Sequence, residues 1–312
     1  MKATRESYGL TLAELGETNE NIVVLDADLS GSTKTAIFGK KFPDRFFNCG
    51  IAEGNMMSVA AGLAACGKTV FASSFAMFAT GRAFEQIRNS ICYPGLNVKV
   101  AASHAGVSVG EDGATHQCIE DIAIMRAIPG MVVVSPADDA EACAAVRAAA
   151  EYNGPMYIRL GRLVYPDVYT PETCHFELGK GDVLLDGSDV TIVATGLMLS
   201  ESLIAAELLK NEGISAAVIN ISTIKPIDAE LLVKYARKTG CVVTAEEHNV
   251  IGGLGSAVCE ALSEHCPVPV SRVGVNDVFG LSGKAKEVLA YFGLTGANIA
   301  ERAKMVMKMK KV

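Results

Sequence analysis

Short apolar runs alternate with helical patterns over almost the whole chain, and this commits it to parallel sheets covered by helices. In the first half, strands are predicted at Ile22 to Leu25, Arg45 to Asn48, Thr69 to Ala72, Val98 to Ala102, Met131 to Ser135 and Met156 to Arg159. Helices are predicted between them, over Thr4 to Leu15, Glu53 to Ala65, Ala79 to Ile91, Ile119 to Ala127 and Asp138 to Glu151. Several open near a capping Ser, Thr, Asp or Asn. The periodicity fails between Leu163 and Phe176, a stretch holding Pro166 and Pro171. A second alternation follows, with strands at Val190 to Ala194, Ala216 to Ile221, Val242 to Ala245 and Val268 to Val273, and a last helix over Ile299 to Lys311 whose basic end suits the helix dipole. With 312 residues to divide, the fold class is two α/β domains with parallel sheets: residues 1–165, a linker at 166–176, and a smaller domain at 177–312.

Charge and composition exclude several roles. Lys and Arg number 28 against 35 Asp and Glu, a net charge of −7, and no basic block is long enough to track a phosphate backbone, so nucleic acid is not an expected partner. The apolar residues are dispersed, with no run near the roughly 18–20 that span a bilayer, so no membrane partner is expected either. The N-terminus shows no apolar leader, which makes the cytoplasm the expected location. Nine cysteines without a Cys-x-x-Cys pair suggest neither a disulfide framework nor a zinc site; most sit among Ala, Val and Ile as small core residues.

In open parallel sheets, ligands collect beyond the carboxyl ends of the strands, and the polar residues follow that rule. Asp26 and Asp28 follow the first strand, Glu53 the second, Ser73, Ser74 and Phe75 the third, and Ser103 and His104 the fourth. Glu53 is a lone carboxylate entering a helix amid small and apolar neighbours; burial would favour its neutral form and suit it to proton transfer near neutral pH. A glutamate in a first helical turn is equally accounted for by the helix dipole. His104 and His116 bracket a Gly-rich loop that also carries Asp112 and Thr115. One histidine at a sheet edge is ordinarily structural, whereas two flanking such a loop point to a site. The separations of eight and four residues along His104, Asp112 and His116 match no metal-ligand motif, so no metal is assigned. Phe75 and Phe78 fit core packing, but an exposed face there would also stack on a flat heteroaromatic ligand within reach of Glu53.

These residues carry a family resemblance. The segments Asp26-Ala-Asp-Leu-Ser-Gly-Ser32, Gly50-Ile-Ala-Glu-Gly-Asn-Met56, Phe71-Ala-Ser-Ser-Phe-Ala-Met-Phe78, Gly110-Glu-Asp-Gly-Ala-Thr-His-Gln117 and Gly154-Pro-Met-Tyr-Ile-Arg-Leu-Gly-Arg162 resemble transketolase, a thiamine-diphosphate enzyme, in order and spacing. The resemblance covers essentially the whole chain, but only that family's pyrimidine-binding and C-terminal domains. Its diphosphate domain has a Gly-Asp-Gly stretch followed after roughly thirty residues by an Asn that holds a divalent metal through oxygen ligands. Here Gly181-Asp182 runs into Val183. The resemblance therefore implies the C-terminal subunit of a split transketolase, transferring a ketol unit between sugar phosphates. A separate N-terminal subunit would hold the diphosphate and magnesium, in a heterotetramer built on a homodimer core.

Carried over by position, the resemblance makes Glu53 the carboxylate bonded to the aminopyrimidine, Phe78 its stacking face with Phe75 beside it, and Asp28 a cofactor neighbour at the subunit interface. His116 would contact the donor's carbonyl and hydroxyl and shuttle protons, and Asp112 would bond a sugar hydroxyl. Arg5, Ser32, His104 and Arg162 would hold the sugar phosphate, with His104 also counted among the catalytic groups. Taken singly, Arg5 and Arg162 would be surface ion pairs, and Arg159 is assigned to its strand. Gly81 departs from a tyrosine common in the family. The segment Glu246-Glu-His-Asn-Val-Ile-Gly-Gly-Leu-Gly255 also resembles the family and is assigned to domain packing. Two relatives share parts of the pattern. Deoxyxylulose-phosphate synthase has the Thr-His-Gln loop but is usually one chain, and 2-oxo acid dehydrogenase beta subunits match in length but should lack that loop and the phosphate-holding set. A non-catalytic binding partner would be expected to have lost Glu53 or the histidines, and all three are present.

Overall fold

The computed structural model describes residues 1–310; Lys311, the expected end of the last helix, lies outside the described residues. Among the described residues, twelve strands form two sheets: β1 (Ile22–Asp26), β2 (Phe46–Asn48), β3 (Thr69–Phe75), β4 (Val98–Ser103), β5 (Val132–Val134), β6 (Met156–Arg159), β7 (Asp182–Leu185), β8 (Val190–Ala194), β9 (Ala216–Asn220), β10 (Thr223–Lys225), β11 (Val242–Asn249) and β12 (Val270–Val275). The first sheet runs β10-β5-β6-β4-β3-β1-β2 and the second β12-β11-β8-β9-β7. Every pairing is parallel except those of β10 with β5 and β7 with β9. Strands β1, β3, β4 and β6 are buried along their whole length, because helices cover both faces. Because β2 and β3 pair with opposite sides of β1, the chain diverges there and opens a crevice beyond the carboxyl ends of β1 and β3.

The helix Glu53–Ala65 has the bounds its pattern predicts. The helix expected over Ala79 to Ile91 is instead two widened π-helical stretches, Met77–Arg82 and Ile87–Cys92, around a single turn at Phe84–Gln86. Thr80 contributes, since its hydroxyl bonds back to the Ala76 carbonyl at 2.6 Å and competes with the regular ladder. The last helix is Gly296–Met307. All nine cysteines are free thiols. Among the described residues, no helix is long and apolar enough to cross a membrane.

Two strands had no clear signal in the sequence. The half-exposed β7 is one; the other is β10, three residues ending just before Pro226. Although β10 follows β9 of the second sheet, it pairs with β5 of the first, Thr223 opposite Val134 and Lys225 opposite Val133. The two sheets thus share a continuous apolar core in which Val133 and Ile224 join Ile221, Leu232 and Leu254.

Buried polar groups reinforce this junction. Arg159 donates to both Asp121 oxygens at 2.7 and 3.2 Å and to the Glu247 carbonyl at 2.9 Å, while the Tyr157 hydroxyl donates to Asp121 at 2.6 Å. Asp138, in the loop before the helix Asp139–Glu151, accepts from the Val168 and Tyr169 N–H groups at 2.7 Å each and so holds the irregular segment between the sheets. Glu141 accepts from the Ala137 N–H at 2.6 Å, from the Asn220 amide at 2.7 Å and from the Ser222 hydroxyl.

Burial, aided by the charge of Asp138, pushes Glu141 up to about 7. A carboxyl raised in the folded state stabilises the fold fully below its unfolded value, and that contribution is lost as pH climbs through the folded value. Glu141→Gln carries no charge to bury. The stability of the variant relative to the parent, followed by thermal unfolding, should therefore rise by on the order of 3 kcal/mol between pH 5 and pH 8. A difference that does not vary with pH would remove Glu141 from this account.

Candidate active site

The crevice is shaped from below by Asp26, at the end of β1. Its buried carboxylate accepts from the Leu29 N–H at 2.6 Å and the hydroxyls of Thr33 and Thr35 at 2.6 and 2.8 Å, which folds the following loop back on itself. That loop presents Asp28 and Lys34 in left-handed conformations, φ 63° and 72°. Tyr8 bonds Ser73 at 2.8 Å, tying the helix Thr4–Thr18, which carries Arg5, to the end of β3.

At one end of the crevice sits Glu53, 1 % exposed, with the Ser74 hydroxyl 3.5 Å from one carboxyl oxygen. Its other oxygen accepts from Arg82 at 2.9 Å. The Arg82 guanidinium lies 4.8 Å from the Phe78 ring centroid, so one planar nitrogen group both stacks on the aromatic face and bonds the acid. Arg82 is not among the residues the motifs single out; its one signal in the sequence is its place four residues after Phe78, a spacing at which two helical side chains share a face. Gly81 leaves space on this side that the Met77 methyl group fills, supplying apolar packing where the family's tyrosine is absent.

Aromatic contacts lead away from Glu53. Phe78 lies 6.0 Å from Phe75; the edge of His116 stands 5.3 Å from Phe78; and His104 stacks on Phe75 at 3.8 Å. His104 is buried and adopts φ 60°, with its Nδ1 2.9 Å from the Ser103 hydroxyl. Burial, followed by the positive charges of Arg5, Arg162, His116 and Lys34, holds His104 down to about 3. Held neutral at physiological pH, its ring offers one nitrogen as a donor and the other as an acceptor. His116 is half-buried, its Nδ1 3.0 Å from the Thr115 hydroxyl.

The far end of the crevice is cationic. Arg5 donates to the Ser32 carbonyl at 2.6 Å, its Nε is buried without a hydrogen-bond partner, and burial together with the charge of Arg162 lowers its pKa. Arg162 donates to the Val109 carbonyl and to Glu111 at 3.2 Å. An anion here would meet the spare Arg5 donor and relieve the repulsion between the guanidiniums.

The structure thus brings together Glu53, Phe75, Phe78, His104, His116, Arg5 and Arg162. Ser32 contacts Arg5 through its main-chain oxygen. Asp28 exchanges hydrogen bonds with Asn48 and is exposed, and Asp112 is exposed on the short turn Gly110–Asp112. Neither bonds the central row among the described residues. Among those residues, no group of three or more His, Cys, Asp and Glu is placed to hold a metal ion. The second domain reaches the rim as well: Gln117 donates to the Leu281 carbonyl at 2.9 Å, and Phe279, 84 % exposed, lines a hollow with Phe78, Arg82 and Thr115.

Comparison with known proteins agrees with the two-domain α/β fold. Residues 1–167 match the family model described as transketolase, pyrimidine binding domain, and residues 179–299 match that described as transketolase, C-terminal domain. A Methanocaldococcus jannaschii chain provisionally named as a transketolase C-terminal section is 55 % identical over 98 % of this chain and 97 % of its own length. A 6-deoxy-6-sulfo-D-fructose transketolase subunit of Clostridium sp. (strain MSTE9) is 46 % identical over 98 % of this chain and 95 % of its own. A solved structure described as a split gene transketolase, inactive β4 tetramer, is 57 % identical and covers 100 % of both chains with a TM-score of 0.93.

The environment of His104 makes a direct prediction. In an NMR titration from pH 8 to pH 5, the ring resonances of His104 should not move, because burial and the surrounding cations keep it neutral throughout. A midpoint inside that window would show that the imidazole is not held as the structure has it.

Proposed function

The chain belongs to the transketolase family, and on that premise we propose that it is the C-terminal subunit of a two-subunit enzyme that moves a two-carbon ketol unit from a ketose phosphate to an aldose phosphate. The observation that carries the reading is the Arg82 guanidinium, a planar nitrogen donor that stacks on Phe78 while bonding the buried Glu53. The aminopyrimidine of thiamine diphosphate has the same character, flat and nitrogen-bearing, so the residues present fit it. When bound, that cofactor supplies the carbanion chemistry of ketol transfer.

In this reading each residue of the chain has a limited task. Glu53 bonds the ring nitrogen, and its burial keeps water from competing for that bond. Phe78, with Phe75 behind it, gives the ring its apolar face. His116, half-buried at the centre of the row, exchanges a proton with a substrate hydroxyl, while neutral His104 offers a hydrogen bond. Arg5 and Arg162 hold the phosphate with the neighbouring Ser32, and Asp112 bonds a sugar hydroxyl at the rim. Asp28 faces the cofactor across a subunit boundary.

The diphosphate and its magnesium belong to a separate N-terminal subunit, and the working assembly has two copies of each chain around a homodimer of this one, in the cytoplasm. A relative described as an inactive β4 tetramer supports a chain that needs a partner.

The test is to mix the chain with an N-terminal subunit, thiamine diphosphate and magnesium and to follow ketol transfer from xylulose 5-phosphate to ribose 5-phosphate. Activity should require both subunits; turnover by this chain alone would overturn the partnership. Activity only with pyruvate and glyceraldehyde 3-phosphate would move the reaction to a synthase, and activity only with a 2-oxo acid and an electron acceptor to a dehydrogenase. Glu53→Gln should assemble normally yet slow exchange of the thiazolium proton by roughly 100-fold or more. Exchange at the parent rate would take Glu53 out of the mechanism.

A further inference from the structure

We propose that the second domain takes part in the reaction through Glu247, a positioning residue whose carboxylate holds the loop 105–117 and, with it, the two histidines that flank the loop. This rests on the functional reading above and extends it to a domain that contributes none of the groups assigned there.

The chain leaves β4 at Ser103, passes His104 into the loop and returns through His116. Its base is closed by the Gly106 N–H donating to the Cys118 carbonyl at 2.7 Å. Between these points the Ser108 N–H donates to Glu247 Oε1 at 2.5 Å. Gly106 has φ 80°, and any Cβ there would run into the Glu247 carboxyl, so the loop's main chain lies directly on that group. Glu247 cannot swing away easily: it is 3 % exposed, and its own carbonyl accepts from Arg159. The second domain also grips the loop's far end, where the Gln117 amide bridges the carbonyls of Val107 and Leu281 and packs where a side chain at Gly280 would stand.

Glu53 and Phe78 are held otherwise. Their supports, the helix Glu53–Ala65, Ser74 and Arg82, all belong to the first domain. Loss of the Glu247 contact should therefore loosen the histidine side of the crevice and leave the cofactor side in place. A merely structural role would disturb both.

In the assembled enzyme, Glu247→Ala should raise KM for the sugar phosphates about tenfold while thiazolium proton exchange stays within about twofold of the parent. Glu247→Gln keeps an oxygen that accepts from Ser108 and should return KM to within about threefold of the parent. Hydrogen–deuterium exchange on the full-length chain alone needs no catalysis. Amides of residues 105–117 should exchange about tenfold faster in Glu247→Ala and near the parent rate in Glu247→Gln. If Glu247→Ala does not fold, Glu247→Asp, which withdraws the carboxylate by one methylene, is judged by the same criteria. Unchanged loop exchange, or KM and thiazolium exchange moving together, would overturn the proposal. Failure of the parent enzyme to transfer ketol units would instead strike the functional reading, and loop exchange would still decide the role of Glu247.

Discussion

The architecture depends on the buried guanidinium of Arg159. A charge that far from water is tolerated only when paired and hydrogen-bonded, and removing one partner of such a pair typically costs about 3–5 kcal/mol. Its partners all lie outside β6: the Asp121 carboxylate on the helix Asp121–Ala127, the Cys118 carbonyl shortly before that helix, and the Glu247 carbonyl on β11 of the second sheet. Sliding the domains apart would leave the guanidinium without the Glu247 carbonyl. The relative position of the two sheets is thus tied to satisfying one cation, and the same strand that offers that carbonyl also aims the Glu247 carboxylate at the loop over the crevice.

Within the crevice, electrostatics divide the site into two ends. A buried acid paired with Arg82 lies at one end and the Arg5 and Arg162 guanidiniums at the other, with stacked aromatic and imidazole rings between. The cations that suit the far end to an anion are the same ones that, after burial, hold His104 neutral. His104 is thus buried and neutral, whereas His116 stands half-buried nearer the opening. The strained backbone is placed accordingly: Asp28, Lys34 and His104 take left-handed conformations on the loops that border the crevice.

The widened turns of Met77–Arg82 end on the residue that pairs with the buried acid. A regular helix over Ala79 to Ile91 is what the pattern predicts, whereas the turns of Met77–Arg82 are widened and Arg82 lies over Phe78, bonded to Glu53. Hydrophobic periodicity registers which side chains are apolar and not whether the ladder widens by one residue, so this feature was not legible in advance. The strand β10 was missed for a related reason: three residues beside a proline carry almost no periodic signal, and their partner β5 lies some ninety positions earlier in the chain.

By itself the sequence determined the two-domain α/β class, ten of the twelve strands found among the described residues to within a few positions, and much of the polar and aromatic set that lines the crevice. Strand period, apolar burial on both faces and the rule that parallel strands end on the same side are local or topological facts that a linear string carries. Tertiary structure alone decided that Arg82 pairs with Glu53, that Ser32 offers its carbonyl to Arg5, that His104 is held neutral, and that Glu247 reaches across to the loop after His104. Each depends on side chains distant in sequence meeting in a desolvated space. The strength and sign of such contacts come from burial and from neighbouring charge, which no residue carries in its own position along the chain.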